Sequence, residues 1–158
     1  MLSLPASVRV YLSIHEKLDA LFRRYGCHAE KTFSVVMPGS EGMDRMQAVM
    51  AQFRSRPPKE LAGMKIARVR DYLQNHSTDA AGNTEPLPGP TGDLVMFDLA
   101  AAGNYVAVRP SGTEPLAKFY MFAYQSPDTI GDLEATKADL AARLAAMQRD
   151  LKAFAGVG

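Results

Sequence analysis

The sequence predicts an α+β domain, and three observations carry that expectation. Apolar residues recur at helical spacing near both ends of the chain, a strand-then-helix junction lies between Lys31 and Phe53, and three short strand-like runs follow one another after Gly92. With 158 residues, 47% of them hydrophobic and 22% charged, the chain can bury one core of ordinary globular composition.

The elements follow in order. From Pro5 to Tyr25, Val8, Tyr11, Leu12, His15, Leu18, Leu21, Phe22 and Tyr25 recur at intervals of three and four, which puts them on one helical face, with Ser3 and Pro5 suited to its start and Gly26 to its stop. Lys31 to Met37 is rich in branched and aromatic residues and runs into Pro38-Gly39, a strand followed by a turn. Ser40 is the expected cap of the next helix, Glu41 and Asp44 favour its positive end, and Met43, Met46, Val49, Met50 and Phe53 form its apolar stripe until Arg56-Pro57-Pro58 stops it. Met64 to Asp71 interleaves Ile66, Ala67 and Val69 with Lys65, Arg68 and Arg70, as an edge or half-exposed strand does. Asn75 to Gly92 has almost nothing to bury and is expected to be a long mobile surface loop.

Asp93 to Leu99, Tyr105 to Val108 and Leu116 to Tyr124 then read as an antiparallel meander, with Gly103-Asn104 as the first turn. Ser126-Pro127-Asp128 supplies a cap and an acidic first turn for a closing helix that carries Leu133, Leu140, Leu144, Met147, Leu151 and Phe154. After the first helix the expected order is β-α-β-β-β-β-α, with two helices on one face of a five-stranded sheet.

Composition excludes several function classes. The net charge is +1, from 18 basic and 17 acidic side chains, so no global charge draws the chain to nucleic acid or to an anionic membrane. The single Cys27 can form neither an internal disulfide nor a cysteine-based zinc site, which fits a reducing cytoplasm. No apolar run approaches the roughly 20 residues of a membrane span, and no secretory leader pattern opens the chain. His15 on the first helix reads as a boundary residue, and Cys27 and His28 lack a third metal ligand. Asn75-His76-Ser77 reads as an accidental glycosylation match. Arg54, Arg56, Lys59, Lys65, Arg68 and Arg70 read as a solvated basic surface, since no aromatic residues are interleaved with them for base stacking.

One segment carries chemistry. Val108-Arg109-Pro110-Ser111-Gly112-Thr113-Glu114-Pro115 places a guanidinium, two hydroxyls and a glycine between two prolines in a short link between apolar strands. Arg109 can offer a planar fork to two phosphate oxygens, Ser111 and Thr113 can donate hydroxyls, and Gly112 lacks the Cβ that would keep backbone N–H groups apart. Lys118 follows and, by strand alternation, shares a side with Tyr120, Phe122 and Tyr124. From residue types alone the segment is open to two readings: an oxyanion loop, or an ordinary turn in which Arg109 pairs with Glu114.

The string Arg109 to Pro115 with Lys118-Phe119-Tyr120 resembles the phosphate-binding loop of the α-D-phosphohexomutases, the phosphoglucomutase and phosphomannomutase superfamily. Ala107-Val108, Pro57-Pro58-Lys59-Glu60, and Arg24-Tyr25-Gly26 with Glu30-Lys31 are similar to the phosphoglucomutase and phosphopentomutase branch. The resemblance implies that family's C-terminal domain, a fold like that of TATA-box-binding protein, over residues 28–158, with residues 1–27 as a leading helix from the preceding domain boundary. It also implies that Arg109, Ser111, Gly112, Thr113 and Lys118 hold the non-transferred phosphate of a hexose phosphate, such as glucose 1-phosphate, glucose 6-phosphate or a mannose phosphate, and that Glu114 orders the loop. Where the family often carries a second lysine, this chain has Leu116.

The family's phosphoserine segment (Ser-His-Asn-Pro), magnesium loop (Asp-Gly-Asp-Gly-Asp) and sugar loop (Gly-Glu-Glu-Ser) are not in this sequence. The implied chain has no catalytic residue, metal ligand or cofactor of its own and is inactive alone. Its partners are the upstream domains of a parent enzyme, whose Mg2+ they hold, with no nucleic acid and no membrane. The contrasting expectation is a free-standing, non-catalytic phosphosugar-binding or interaction module.

Overall fold

The computed structural model describes residues 13–156. In chain order the elements are α1 (Ile14–Tyr25), β1 (Cys27–Val36), α2 (Gly42–Ser55), β2 (Glu60–Leu61), β3 (Met64–Asp71), β4 (His76–Asp79), β5 (Thr84–Pro86), β6 (Val95–Leu99), β7 (Tyr105–Pro110), β8 (Leu116–Gln125), a 3₁₀ turn at Pro127–Thr129 and α3 (Leu133–Phe154). All strand pairs are antiparallel, in the spatial order β1-β8-β7-β6-β3-β4-β5, with β2 paired to β3 beside that path.

The period of two along β8 sets the two faces of the sheet. Ala117, Phe119, Met121 and Ala123 are buried, whereas Lys118, Tyr120, Phe122 and Tyr124 stand on the other side and stay half-exposed. α2 packs on β7 and β8 and α3 on β1 and β8, so both helices cover the same face. Met46, Met50 and Phe53 from α2 meet Leu140, Leu144, Met147 and Leu151 from α3 over the sheet. Phe53 is the hub, its ring 5.8 Å from Phe97, 5.8 Å from Phe119 and 4.9 Å from Phe154. The fold is α+β with an open antiparallel sheet, of the kind found in TATA-box-binding protein.

Several expected boundaries move. Asn75 to Gly92 is not one long loop, because β4 and β5 form a hairpin inside it. That hairpin needs no apolar alternation. It is held by backbone pairing and by Asp79, whose Oδ1 accepts the N–H groups of Ala81 and Asn83, both at 2.9 Å. With this hairpin and β2 the sheet has eight strands rather than five, and β3 lies inside it between β6 and β4, so of its two expected placements it takes the half-exposed one and not the edge. β1 begins at Cys27, four residues before the expected Lys31, because β8 is long enough to pair it from Cys27↔Gln125 to Val36↔Leu116.

Helix starts shift as well. α2 opens after Glu41 with no side-chain cap, so Ser40 does not cap it. Ser126-Pro127-Asp128 opens the 3₁₀ turn, and α3 takes Asp132 as its cap, with the Glu134 N–H donating at 2.9 Å. The part of the first helix expected over Pro5 to Leu12, with its start at Ser3, lies outside the described residues. The described helix α1 starts with a capping box, in which the Ser13 N–H donates to Glu16 at 2.7 Å and the Glu16 N–H to the Ser13 hydroxyl at 3.2 Å.

The expected β6–β7 turn is present. Gly103 has φ +78°, and a Cβ there would come within 2.5 Å of the Tyr124 ring. The next residue, Asn104, is 3% exposed and spans the turn, donating to the Ala101, Ala102 and Tyr124 carbonyls and accepting from the Tyr124 N–H and from Arg143 of α3.

Candidate functional site

The singled-out segment closes the β7–β8 hairpin. The Ser111 N–H donates to the Leu116 carbonyl at 2.9 Å, and the Leu116 N–H donates to the Glu114 carbonyl at 2.8 Å. The bend is tied at its base to the segment that leads from β1 into α2. Met37 donates its N–H to the Pro115 carbonyl at 2.8 Å, and Pro115 lies against Gly42 at the start of α2, where a Cβ would come within 2.9 Å of the Pro115 Cβ. The bend is thus anchored at its base, and Gly112, Thr113 and Glu114 at its tip are exposed.

Register brings the cations together. Arg109 on β7 faces Lys118 on β8 directly, and both stand on the sheet face that the helices leave open. Among the described residues neither pairs with a carboxylate, so the turn reading in which Arg109 pairs with Glu114 is not what the chain adopts. The Arg109 Nε–H instead donates to the Tyr120 hydroxyl at 3.2 Å, with the guanidinium 5.9 Å from the ring centroid.

Donors remain at the tip. Among the described residues the N–H groups of Gly112, Thr113 and Glu114 and the hydroxyls of Ser111 and Thr113 have no protein partner, while the Ser111 N–H is spent on closing the hairpin. Ser111 therefore has only its hydroxyl to offer a ligand. A Cβ on Gly112 would meet nothing within 4 Å, so no internal packing asks for a glycine there. The contact that Glu114 makes within the bend is through its backbone carbonyl.

Aromatic pairs also stand on the open face. Tyr105 and Phe122 stack at 4.4 Å, and His28 lies 4.6 Å from the Tyr124 ring. Cys27 is buried, and burial pushes its thiol pKa up, which makes it a poor nucleophile. Among the described residues no cluster of His, Cys, Asp or Glu could hold a metal ion.

A separate groove lies elsewhere. It has a volume of about 920 Å³ and runs between the end of α2, Pro57-Pro58 and strands β3 and β4. Arg54 on its wall is paired with Asp71 and Asp93, and Arg70, on the same strand as the groove, with Asp98, so part of the expected solvated basic surface is internally neutralised. Tyr120 is the site residue that the sequence reading left without a role. Its contact with Arg109 depends on a diagonal across two strands that only the register reveals.

Fold and bend together describe an α+β domain with unpaired cations and free donors at one end of an open sheet. No family model matches the chain. Curated relatives do: it is 31% identical over 119 residues to a phosphoglucomutase of Staphylococcus aureus strain MRSA252, which takes in 73% of this chain and 21% of the relative. It is 32% identical over 112 residues to the phosphoglucomutase of strain USA300, 69% of this chain and 20% of that protein. The chain is a homologue of phosphoglucomutase over this stretch, and it spans about a fifth of the length of the relatives it matches, the size of one domain of a larger protein. Among solved structures, the di-domain ARO/CYC StfQ from the steffimycin biosynthetic pathway aligns over 89% of this chain and 54% of its own at 14% identity and a TM-score of 0.36, too distant to bear on the fold.

Proposed function

We propose that this chain is the C-terminal, substrate-phosphate-binding domain of a phosphoglucomutase-like enzyme, and that the β7–β8 bend holds the phosphate that is not being transferred. One observation carries this reading. Arg109 and Lys118 are opposed on an open face without a carboxylate between them, next to a bend whose exposed amides and hydroxyls have no partner in the protein. Two adjacent cations repel unless an anion lies between them, and a phosphate dianion can take charge-assisted bonds from both and from the hydroxyls of Ser111 and Thr113.

In the parent enzyme the domain clamps one phosphate of a hexose phosphate, with glucose 1-phosphate, glucose 6-phosphate and mannose phosphates as the candidates. Upstream domains supply the phosphoserine and the Mg2+ at the opposite end of the sugar. Movement of this domain then lets the bisphosphate intermediate turn round before the second transfer. We place the reaction in the cytoplasm, and the 158 residues alone transfer no phosphate.

The first helix supports a domain boundary near residue 27. Phe22 packs against the core and Asp19 pairs with Lys137 of α3 at 2.8 Å, yet Ile14, Leu18, Leu21 and Tyr25 form an exposed apolar ridge along α1. Such a ridge suits burial against a preceding domain.

Titrating the 15N-labelled chain with inorganic phosphate, glucose 1-phosphate and glucose 6-phosphate tests the site. The Gly112 and Thr113 amides are expected to shift with each ligand. Amides that stay fixed at tens of millimolar ligand reject the reading.

A further inference from the structure

We infer that Tyr120 is a positioning residue for the anion site, holding Arg109 by its Nε–H so that the outer fork of the guanidinium is the part left for a ligand. The inference rests on the reading of the bend as a phosphate site.

An arginine has five N–H donors in one rigid plane and can meet an oxyanion end-on, through its two terminal nitrogens, or side-on, through Nε and one of them. Here the Nε–H is engaged by the Tyr120 hydroxyl at 3.2 Å, and the ring lies within cation–π reach at 5.9 Å. The side-on mode is therefore blocked and the end-on mode remains. The contact also restrains a long, exposed side chain before any ligand arrives, which lowers the ordering cost of binding.

The sheet builds this arrangement. Tyr120 stands opposite Ala107 on β7 and opposite Thr32 on β1, both smaller than itself. With only a methyl group at Ala107, two residues before Arg109 on the same strand face, no bulky side chain stands between the guanidinium and the tyrosine diagonal to it. Tyr120 itself is fixed by an interior position in a ten-residue strand. Lys118, one pleat away on the same face, lies directly across from Arg109 and has no tyrosine contact of this kind.

The test compares the wild-type chain with Tyr120→Phe, Arg109→Lys and the double variant, using inorganic phosphate and glucose 6-phosphate as probes. Tyr120→Phe keeps the ring and removes only the acceptor. It is expected to weaken phosphate binding about threefold to tenfold and to shift or broaden the Arg109 Nε–Hε resonance in the free protein, with thermal unfolding unchanged. In the Arg109→Lys background, which has no Nε–H, the tyrosine substitution is expected to cost nothing further. Wild-type affinity in Tyr120→Phe, or an equal loss in both backgrounds, overturns the positioning role and leaves the phosphate site standing. No binding by the wild-type chain overturns the site and the positioning role with it.

Discussion

Arg109 and Lys118 stand directly across the β7–β8 ladder from each other, two cations with no carboxylate between them. Like charges in opposed positions of an antiparallel pair destabilise it, so the fold tolerates here a contact that a bound anion would relieve. Lys118→Glu places opposite charges across the ladder. Chemical denaturation is expected to show stability unchanged or raised by about 0.2–1 kcal/mol, while phosphate affinity measured by amide titration falls at least about tenfold. A loss of stability together with a loss of affinity would identify Lys118 as a structural residue.

Arg109→Lys keeps the charge and removes the fork. Phosphate binding is expected to weaken by about 1–3 kcal/mol, read from the same titration, with little change in folding. Since the site is exposed and the substitution keeps the charge, raising the salt concentration is expected to weaken phosphate binding to both chains by a similar factor.

The chemistry of the bend is legible in the sequence because guanidinium, hydroxyls, glycine and flanking prolines rarely meet in a link this short. The helices and the three meander strands are legible because Phe53, Leu144 and Phe119 recur on faces with periods of 3.6 or 2. The β4–β5 hairpin is not legible in the same way. Its strands lie at the sheet edge, carry His76, Thr78, Thr84 and Glu85, and gain their order from backbone pairing and the Asp79 turn, which leave no apolar pattern. Periodicity marks Leu18, Leu21, Phe22 and Tyr25 as one face, but what covers a face depends on tertiary contacts, and in this structure Phe22 packs against the core while Leu18, Leu21 and Tyr25 are exposed. The Arg109–Tyr120 contact depends on which residues of two strands face each other, and that register follows from the length of the bend together with the sheet around it.

Phe53 joins the two helices to the sheet, being fully buried among Phe97, Phe119 and Phe154. Phe53→Ala is expected to cost about 3–5 kcal/mol, because it removes a large apolar group and leaves a cavity bounded by three rings that cannot all move inward. Urea unfolding measures it, and a cost below 1 kcal/mol would show that this layer repacks freely.

Asn104 satisfies three carbonyls and one amide at the turn next to Tyr124 and also receives Arg143 from α3. Asn104→Ala leaves the part-buried Tyr124 N–H without its acceptor. A loss of about 1–3 kcal/mol is expected, with amide exchange faster at Tyr124 than in β3. Uniform protection across the sheet would show that the turn is held by Gly103 and the backbone alone.

Asp79 gives the edge hairpin a pH dependence whose direction follows from its hydrogen bonds. The Asn83 side chain donates to the carboxylate at 2.9 Å, and the Asn83 and Ala81 N–H groups do the same, so the charged form is favoured and the pKa lies below the ordinary aspartate value. A lowered pKa in the folded state contributes stability that is present above the ordinary aspartate pKa and is lost as the pH falls through the folded value. The Ala81 and Asn83 amide signals are therefore expected to titrate together with a midpoint below that of a free aspartate, while core amides such as that of Phe97 stay fixed, because β5 ends the sheet and little packs upon it. An Ala81 midpoint at or above the ordinary aspartate value would mean that the carboxylate does not hold the turn, and Asp79→Ala would then leave the Thr78–Thr84 pairing intact.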